Sequence, residues 1–157
     1  MGVAGSGKST VGSMLAGRLG VPFVEADDLH SPDAIARMAA GHPLTEEDRD
    51  PWLDRVHERL VAVDGAGAVC ACSALTERSR RRLTDRLDDV RLIWLDGSPE
   101  LLAARLTARH GHPVGPELLP SQLATLEPPA GALHLDVAAP PEELVDRALA
   151  WLDGSGG

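Results

Sequence analysis

A chain of 157 residues, 43% hydrophobic and 25% charged, is long enough for one soluble domain with its own core. The net charge of -9 and the few aromatics (one Phe, three Trp, no Tyr) disfavour nucleic-acid partners, and an anionic ligand would need locally placed cations. No apolar run approaches the ~18 residues of a membrane span and no basic segment leads into an apolar one, so no membrane partner is expected and the default compartment is cytoplasmic.

The chain opens on Gly2-Val3-Ala4-Gly5-Ser6-Gly7-Lys8-Ser9-Thr10, which fits the phosphate-loop pattern G-x-x-x-x-G-K-[ST] at every fixed position. Gly2, Gly5 and Gly7 allow tight turning and bring backbone N–H groups to phosphates, and a helix starting near Lys8 points its positive end at them. The loop from Gly2 through Ser6 to Thr10 therefore reads as a nucleotide site. Lys8 would reach the β and γ phosphates, Ser9 would ligate Mg²⁺, and Thr10 would contact the α phosphate. Lys8 is also the only lysine in the chain, placed where a compact ammonium is not interchangeable with a guanidinium.

Helical spacing of Val11, Met14, Leu15 and Leu19 continues from the loop to Gly20, a C′ residue. A strand over 21–24 then delivers Glu25, Asp27 and Asp28 at its carboxyl end, where open parallel sheets place their ligands. Glu25 and Asp27, two apart on a strand, are expected on one face. Asp28 reads as a solvated turn residue. Residues 33–40 form a helix ended by Gly41-His42-Pro43. Thr45 with Glu46, Glu47 and Asp48 is an N-cap with an acidic first turn, opening a long helix that aligns Trp52, Leu53, Val56, Leu60 and Val63. Trp52 reads as core. A buried strand over 68–74 carries Cys70 and Cys72 on one face as small hydrophobes.

An arginine-laced helix follows over 76–87, then a strand over 90–95, a helix capped by Ser98-Pro99-Glu100, and a loop over 111–116. A short helix over 118–126, a last strand over 133–137, a final helix to Leu152 and a frayed tail over 154–157 complete the chain. Strands alternating with helices imply a parallel sheet covered on both faces, in one domain over 1–153. A phosphate loop normally follows a buried strand, yet Met1 directly precedes Gly2. Buried, unpaired backbone groups cost about 1–3 kcal/mol each. Several together rival the roughly 5–15 kcal/mol that hold a domain folded, so the expectation is that the natural amino terminus, with the central first strand, lies outside this sequence.

These motifs resemble the gluconate kinases, phosphate-loop sugar-acid kinases on a nucleoside-monophosphate-kinase-like, three-layer α/β/α fold. The resemblance runs through GVAGSGKS (2–9), EADDLH (25–30), MAAG and PLT (38–45), DRDPWL (48–53), CSAL (72–75) with Arg80, and RLTARHGH with LLPSQLATLE (105–127). It implies ATP-dependent phosphorylation of D-gluconate on its terminal hydroxyl, with substrate-binding helices over about 30–64 and a lid over about 105–127. It also implies roles. Asp27 would orient the hydroxyl and accept its proton, or hold Mg²⁺ with Ser9, with Glu25 in support. Arg49 and Arg80 would take the substrate carboxylate and hydroxyls. Arg105 and Arg109, one turn apart, would close on the ATP phosphates, giving Arg109 a catalytic role beside Lys8 and Asp27. His30 either bonds the polyol or caps the next helix, and His112 is a substrate-site candidate. A homodimer is compatible with this reading.

The chain departs from the family pattern at Ala34 (usually Asn), Thr76 (usually Lys), and Pro113 and Leu123 (usually Phe). Thr76 removes a positive charge near the expected substrate pocket, and Pro113 stiffens the lid entry. Two other readings share the loop. A shikimate-kinase-like or nucleotide-kinase-like enzyme has the same acidic strand end, but the mid-chain glycine-rich segment of shikimate kinases is lacking. The other is a nucleotide-binding protein with little turnover.

Overall fold

The computed structural model describes residues 1–63, 67–108 and 115–154. Its elements run α1 (Lys8–Leu19), β1 (Phe23–Glu25), a 3-10 turn (Ala26–Leu29), α2 (Pro32–Ala39), α3 (Glu46–Val61), β2 (Val69–Ala71) and α4 (Glu77–Leu83). Then come β3 (Ile93–Asp96), α5 (Pro99–Ala108), a second 3-10 turn (Pro116–Leu118), α6 (Leu119–Thr125), β4 (Leu133–Asp136) and α7 (Pro141–Gly154). This is the alternating α/β order expected. Local chemistry sets the boundaries. Gly20 ends α1 in the left-handed region at φ 70. Thr45 and Asp48 form a reciprocal capping box at the start of α3. Ser31 caps α2 by accepting from the Ala34 N–H at 3.2 Å, so His30 is not that helix's cap.

All strand pairing is parallel. Phe23 pairs with Val69 through Glu25 with Ala71, and Ile93 pairs with Leu133 through Asp96 with Asp136. The two pairs are separate sheets, and among the described residues no strand lies between β2 and β3. Met1 and Gly2 stand at one end of that gap. The Met1 amino group donates to the Ile93 carbonyl at 2.6 Å, Leu95 N–H donates to the Met1 carbonyl at 2.9 Å, and Gly2 N–H donates to the Ser73 carbonyl at 3.3 Å. Met1 and Gly2 thus make, at one end of the gap, backbone bonds to both half-sheets.

The core is divided in the same way. Val3, Val11, Leu15, Leu102, Leu135, Leu144 and Val145 pack around β3 and β4. Ala26, Trp52, Leu53, Val56, Cys72 and Leu83 pack around the other pair, with Cys70 against them. Both cysteines therefore behave as the expected hydrophobes. Burial pushes the Cys72 thiol up to about 11 and raises Cys70 as well, which keeps both protonated and unreactive. No described helix is long and apolar enough to cross a membrane.

Candidate active site

The phosphate loop leaves the half-sheet gap and wraps onto the start of α1. Gly5 has φ +82, and a Cβ there would sit 2.9 Å from the Leu102 carbonyl; Gly2, at φ +147, would drive a Cβ into the Leu95 carbonyl. Both positions exclude larger residues on conformation and on space. Ser6, 1% exposed, donates its hydroxyl to the Val3 carbonyl at 2.8 Å, and Lys8 Nζ donates to that carbonyl at 3.0 Å. The Ala4 N–H donates to Gln122 Oε1 on α6 at 2.7 Å. Gln122 was not singled out as a site residue in the sequence, since its partner is 118 residues away.

Residues from Ala4 to Val11 line a cleft of about 350 Å³. Asp27, His30, Arg49 and Trp52 line its other side, and Arg105, Ser121 and Gln122 border it from α5 and α6. Asp27 lies not on the strand but in the 3-10 turn after it. Glu25 supports it differently from the shared strand face expected: Glu25 caps the turn, its Oε1 accepting from the Asp27 N–H at 3.4 Å. Asp28 is exposed, as its reading as a solvated turn residue requires.

His30 lies face to face on Trp52, ring centroids 4.3 Å apart and planes 11° from parallel. Trp52 is both core and cleft wall: it is 3% exposed, and its Nε1 donates to the Ala26 carbonyl at 2.7 Å. The His30 Nε2 stands 4.0 Å from Asp27 Oδ1, while its buried Nδ1 has no hydrogen-bond partner among the described residues. Burial lowers the His30 pKa below its ordinary value; Asp27 opposes that shift and Arg55 and Arg49 add to it.

The arginines divide sharply. Arg49 lines the cleft from α3, held at 3.4 Å by Glu46. Arg105 also lines it and donates to the Val137 carbonyl at 2.8 Å. Arg80 does not line it. Its guanidinium Nη1 donates to the carbonyls of Ala74, Leu75 and Glu127 at 3.0 to 3.1 Å, and the residue is 8% exposed, so its expected place at the substrate is corrected to a buried tie between chain segments. Its position inside an arginine run gave no signal of this. Arg109 and His112 lie outside the described residues, as does Pro113.

Thr76 lies outside the cleft lining too. Its hydroxyl caps α4 by accepting from the Ser79 N–H at 3.1 Å and lies 3.3 Å from Glu46 Oε2. The arginine run of α4 pairs with α3: Arg78 with Glu46 and Asp50, and Arg82 with Asp50 and Asp54, a ladder of acids one turn apart.

A protein-family model described as "Shikimate kinase" matches residues 4–127. The curated gluconokinase of Gluconobacter oxydans (strain 621H) is 45% identical over 158 residues, covering 92% of this chain and 86% of that protein. The chain belongs to the gluconokinase family. The thermosensitive gluconokinase of Escherichia coli (strain K12) is 40% identical, covering 82% of this chain and 70% of that one. A crystal structure of a gluconokinase from Sinorhizobium meliloti 1021 superposes with a TM-score of 0.86 at 44% identity, covering 96% of this chain and 87% of that one. Against the shikimate kinase of Aquifex aeolicus the TM-score is 0.54 at 18% identity, a likeness of fold alone. Gluconokinases and shikimate kinases thus share the phosphate-loop kinase fold, and sequence identity places this chain with the former.

Proposed function

We propose that the protein is an ATP-dependent gluconokinase, transferring the γ-phosphoryl group of ATP to the terminal hydroxyl of D-gluconate to give 6-phospho-D-gluconate. The observation that carries this reading is one cleft in which the phosphate loop faces Asp27, His30 and Arg49, in a chain 45% identical to a gluconokinase.

The residues present fit the nucleotide and its Mg²⁺. Loop glycines leave space that a Cβ would fill, and Lys8 is the cation next to them. No group of three or more His, Cys, Asp or Glu among the described residues could hold a metal by itself. Ser9 would instead supply an oxygen ligand of the kind typical of Mg²⁺ shared with phosphates, and Asp27, besides its place as the base, would reach the ion only through water. Bound there, Mg²⁺ supplies neutralising charge to the phosphate oxygens.

The loop N–H groups, with Ser6 and Thr10 in the same cradle, orient the phosphates. Lys8 balances charge as it spreads onto the equatorial oxygens. As the gluconate oxygen bonds to phosphorus and the bond to the ADP oxygen breaks, the hydroxyl proton passes to the Asp27 carboxylate. Arg49 pairs with the gluconate carboxylate, and His30, on the cleft wall, bonds a substrate hydroxyl. Arg105, Arg109 and His112 belong to the closing lid. The reading includes a cytoplasmic setting and no nucleic-acid or membrane partner.

A coupled ADP assay with D-gluconate, shikimate, glycerate and nucleoside monophosphates tests it. Gluconate should be turned over far ahead of the others. Equal turnover of any of them would overturn the substrate assignment, and ATP binding without product from any acceptor would leave a nucleotide-binding protein.

A further inference from the structure

Glu46, the first residue of α3, divides its two carboxylate oxygens between two helices. Oε1 serves its own helix, accepting from Arg49 Nη1 at 3.4 Å. Oε2 faces α4, accepting from Arg78 Nη1 at 3.2 Å with the Thr76 hydroxyl 3.3 Å away. Arg49 lines the cleft and Glu46 does not, so the carboxylate stands behind the cleft arginine, between it and the next helix.

An ion pair three residues apart on one helix is by itself a common and weak surface feature. This one differs because the acid is held from its far side. Arg78 is gripped by Asp50 as well, its Nη1 and Nη2 donating to the two oxygens of that carboxylate at 2.8 and 2.6 Å. Thr76 is buried, and the bond its hydroxyl accepts from the Ser79 N–H keeps it in place. The Thr45–Asp48 capping box fixes the turn of α3 that carries Glu46. A carboxylate held in this way has little rotamer freedom left to lose, so it orders Arg49 at a lower entropic cost than two free side chains would pay. A guanidinium offers several N–H donors in a rigid fork, and one bond to Glu46 leaves others for an anion in the cleft.

We propose that Glu46 is a positioning residue: backed by Arg78 and Thr76, it holds the Arg49 guanidinium at the cleft wall in the orientation that receives the acceptor's carboxylate. The identity of that acceptor rests on the gluconokinase reading; the control of Arg49 from α4 through Glu46 does not. Arg78 thereby acts on the acceptor site without lining the cleft.

Two readouts test it. With arginine labelled by ¹⁵N, relaxation of the Arg49 Nε–H should show a rigid side chain in the unsubstituted protein, a mobile one in Glu46→Ala, and an intermediate one in Arg78→Met. In steady-state assays Glu46→Ala should raise gluconate KM about fivefold, as for an Arg49 correctly oriented in about a fifth of the molecules, with kcat and ATP KM changed less than about twofold. Arg78→Met should raise gluconate KM in the same sense by less. Both rises should vanish in an Arg49→Ala background, because the effect passes through that side chain. Arg81→Met removes an arginine of α4 that pairs with Glu77 outside the cleft, and should move neither readout. An Arg49 Nε–H as rigid in Glu46→Ala as in the unsubstituted protein overturns the proposal. So does an unchanged or lowered gluconate KM, the lowered value marking Glu46 as a competitor for Arg49, and so does a rise that persists without Arg49. If the unsubstituted protein turns over no gluconate, the gluconokinase reading fails and the relaxation measurement alone decides whether Glu46 holds Arg49.

Discussion

Gln122 of α6 accepts a 2.7 Å hydrogen bond from the backbone N–H of Ala4, so the segment expected as a lid is tied directly to the phosphate loop. The bond crosses the cleft wall, and both residues line it.

Replacing Gln122 separates the tie from the charge. Gln122→Leu leaves the Ala4 N–H without its partner at a cost of about 1 kcal/mol, which should appear as a severalfold weaker ATP interaction with gluconate KM little changed. Gln122→Glu can still accept the bond but sets a carboxylate beside the phosphates, and should weaken ATP further than the leucine variant. ATP titration by calorimetry checks the order, and a glutamate variant as tight as the unsubstituted protein would contradict it.

Arg80→Met should act on the fold and not on the substrate. Two buried carbonyls and a partly buried one lose a charged donor, and charge-assisted bonds are worth about 1.5–3 kcal/mol, so the unfolding free energy should fall by about 3 kcal/mol. Gluconate KM, measured well below the lowered melting temperature, should stay within about twofold, less than the tenfold that 1.4 kcal/mol of lost binding would give. A large KM rise with unchanged stability would return Arg80 to the substrate.

Lys8→Ala and Asp27→Asn should fail for different reasons. The lysine acts on phosphate charge, so its loss should weaken nucleotide binding and turnover together. Asp27→Asn keeps the shape but cannot take the proton, so kcat should drop by ~10²-fold or more while ATP affinity largely survives. Near-normal turnover of Asp27→Asn would exclude it as the base.

The stacked His30 makes stability sensitive to acid. Its folded pKa is lowered by burial, so above the ordinary value of 6.5 neither state binds the proton and the residue contributes no slope. As pH falls below 6.5 the unfolded chain binds the proton first, and stability is lost until the lowered folded value is passed. The melting temperature of the protein relative to His30→Gln should therefore decline from pH 7.5 to 5, by thermal denaturation in matched buffers. A constant difference over that range would show that His30 is not the responsible group.

Much of this was legible in the linear sequence because it is local. The loop is nine consecutive residues whose spacing is itself the chemistry, Gly20 and Thr45 end and begin helices through bonds within one turn, and the strand before Asp27 delivers its carboxylate to the cleft. Tertiary structure alone decided what distant partners do with a side chain. Arg49 and Arg80 are the same residue type in similar helical settings, yet one lines the cleft and the other is spent on three carbonyls, one of them 47 residues away. Gln122 and Ala4, 118 residues apart, meet only because α6 packs beside the loop. Hydrogen-bond partners are chosen by what burial brings within about 3 Å, and no periodicity in the chain encodes that distance.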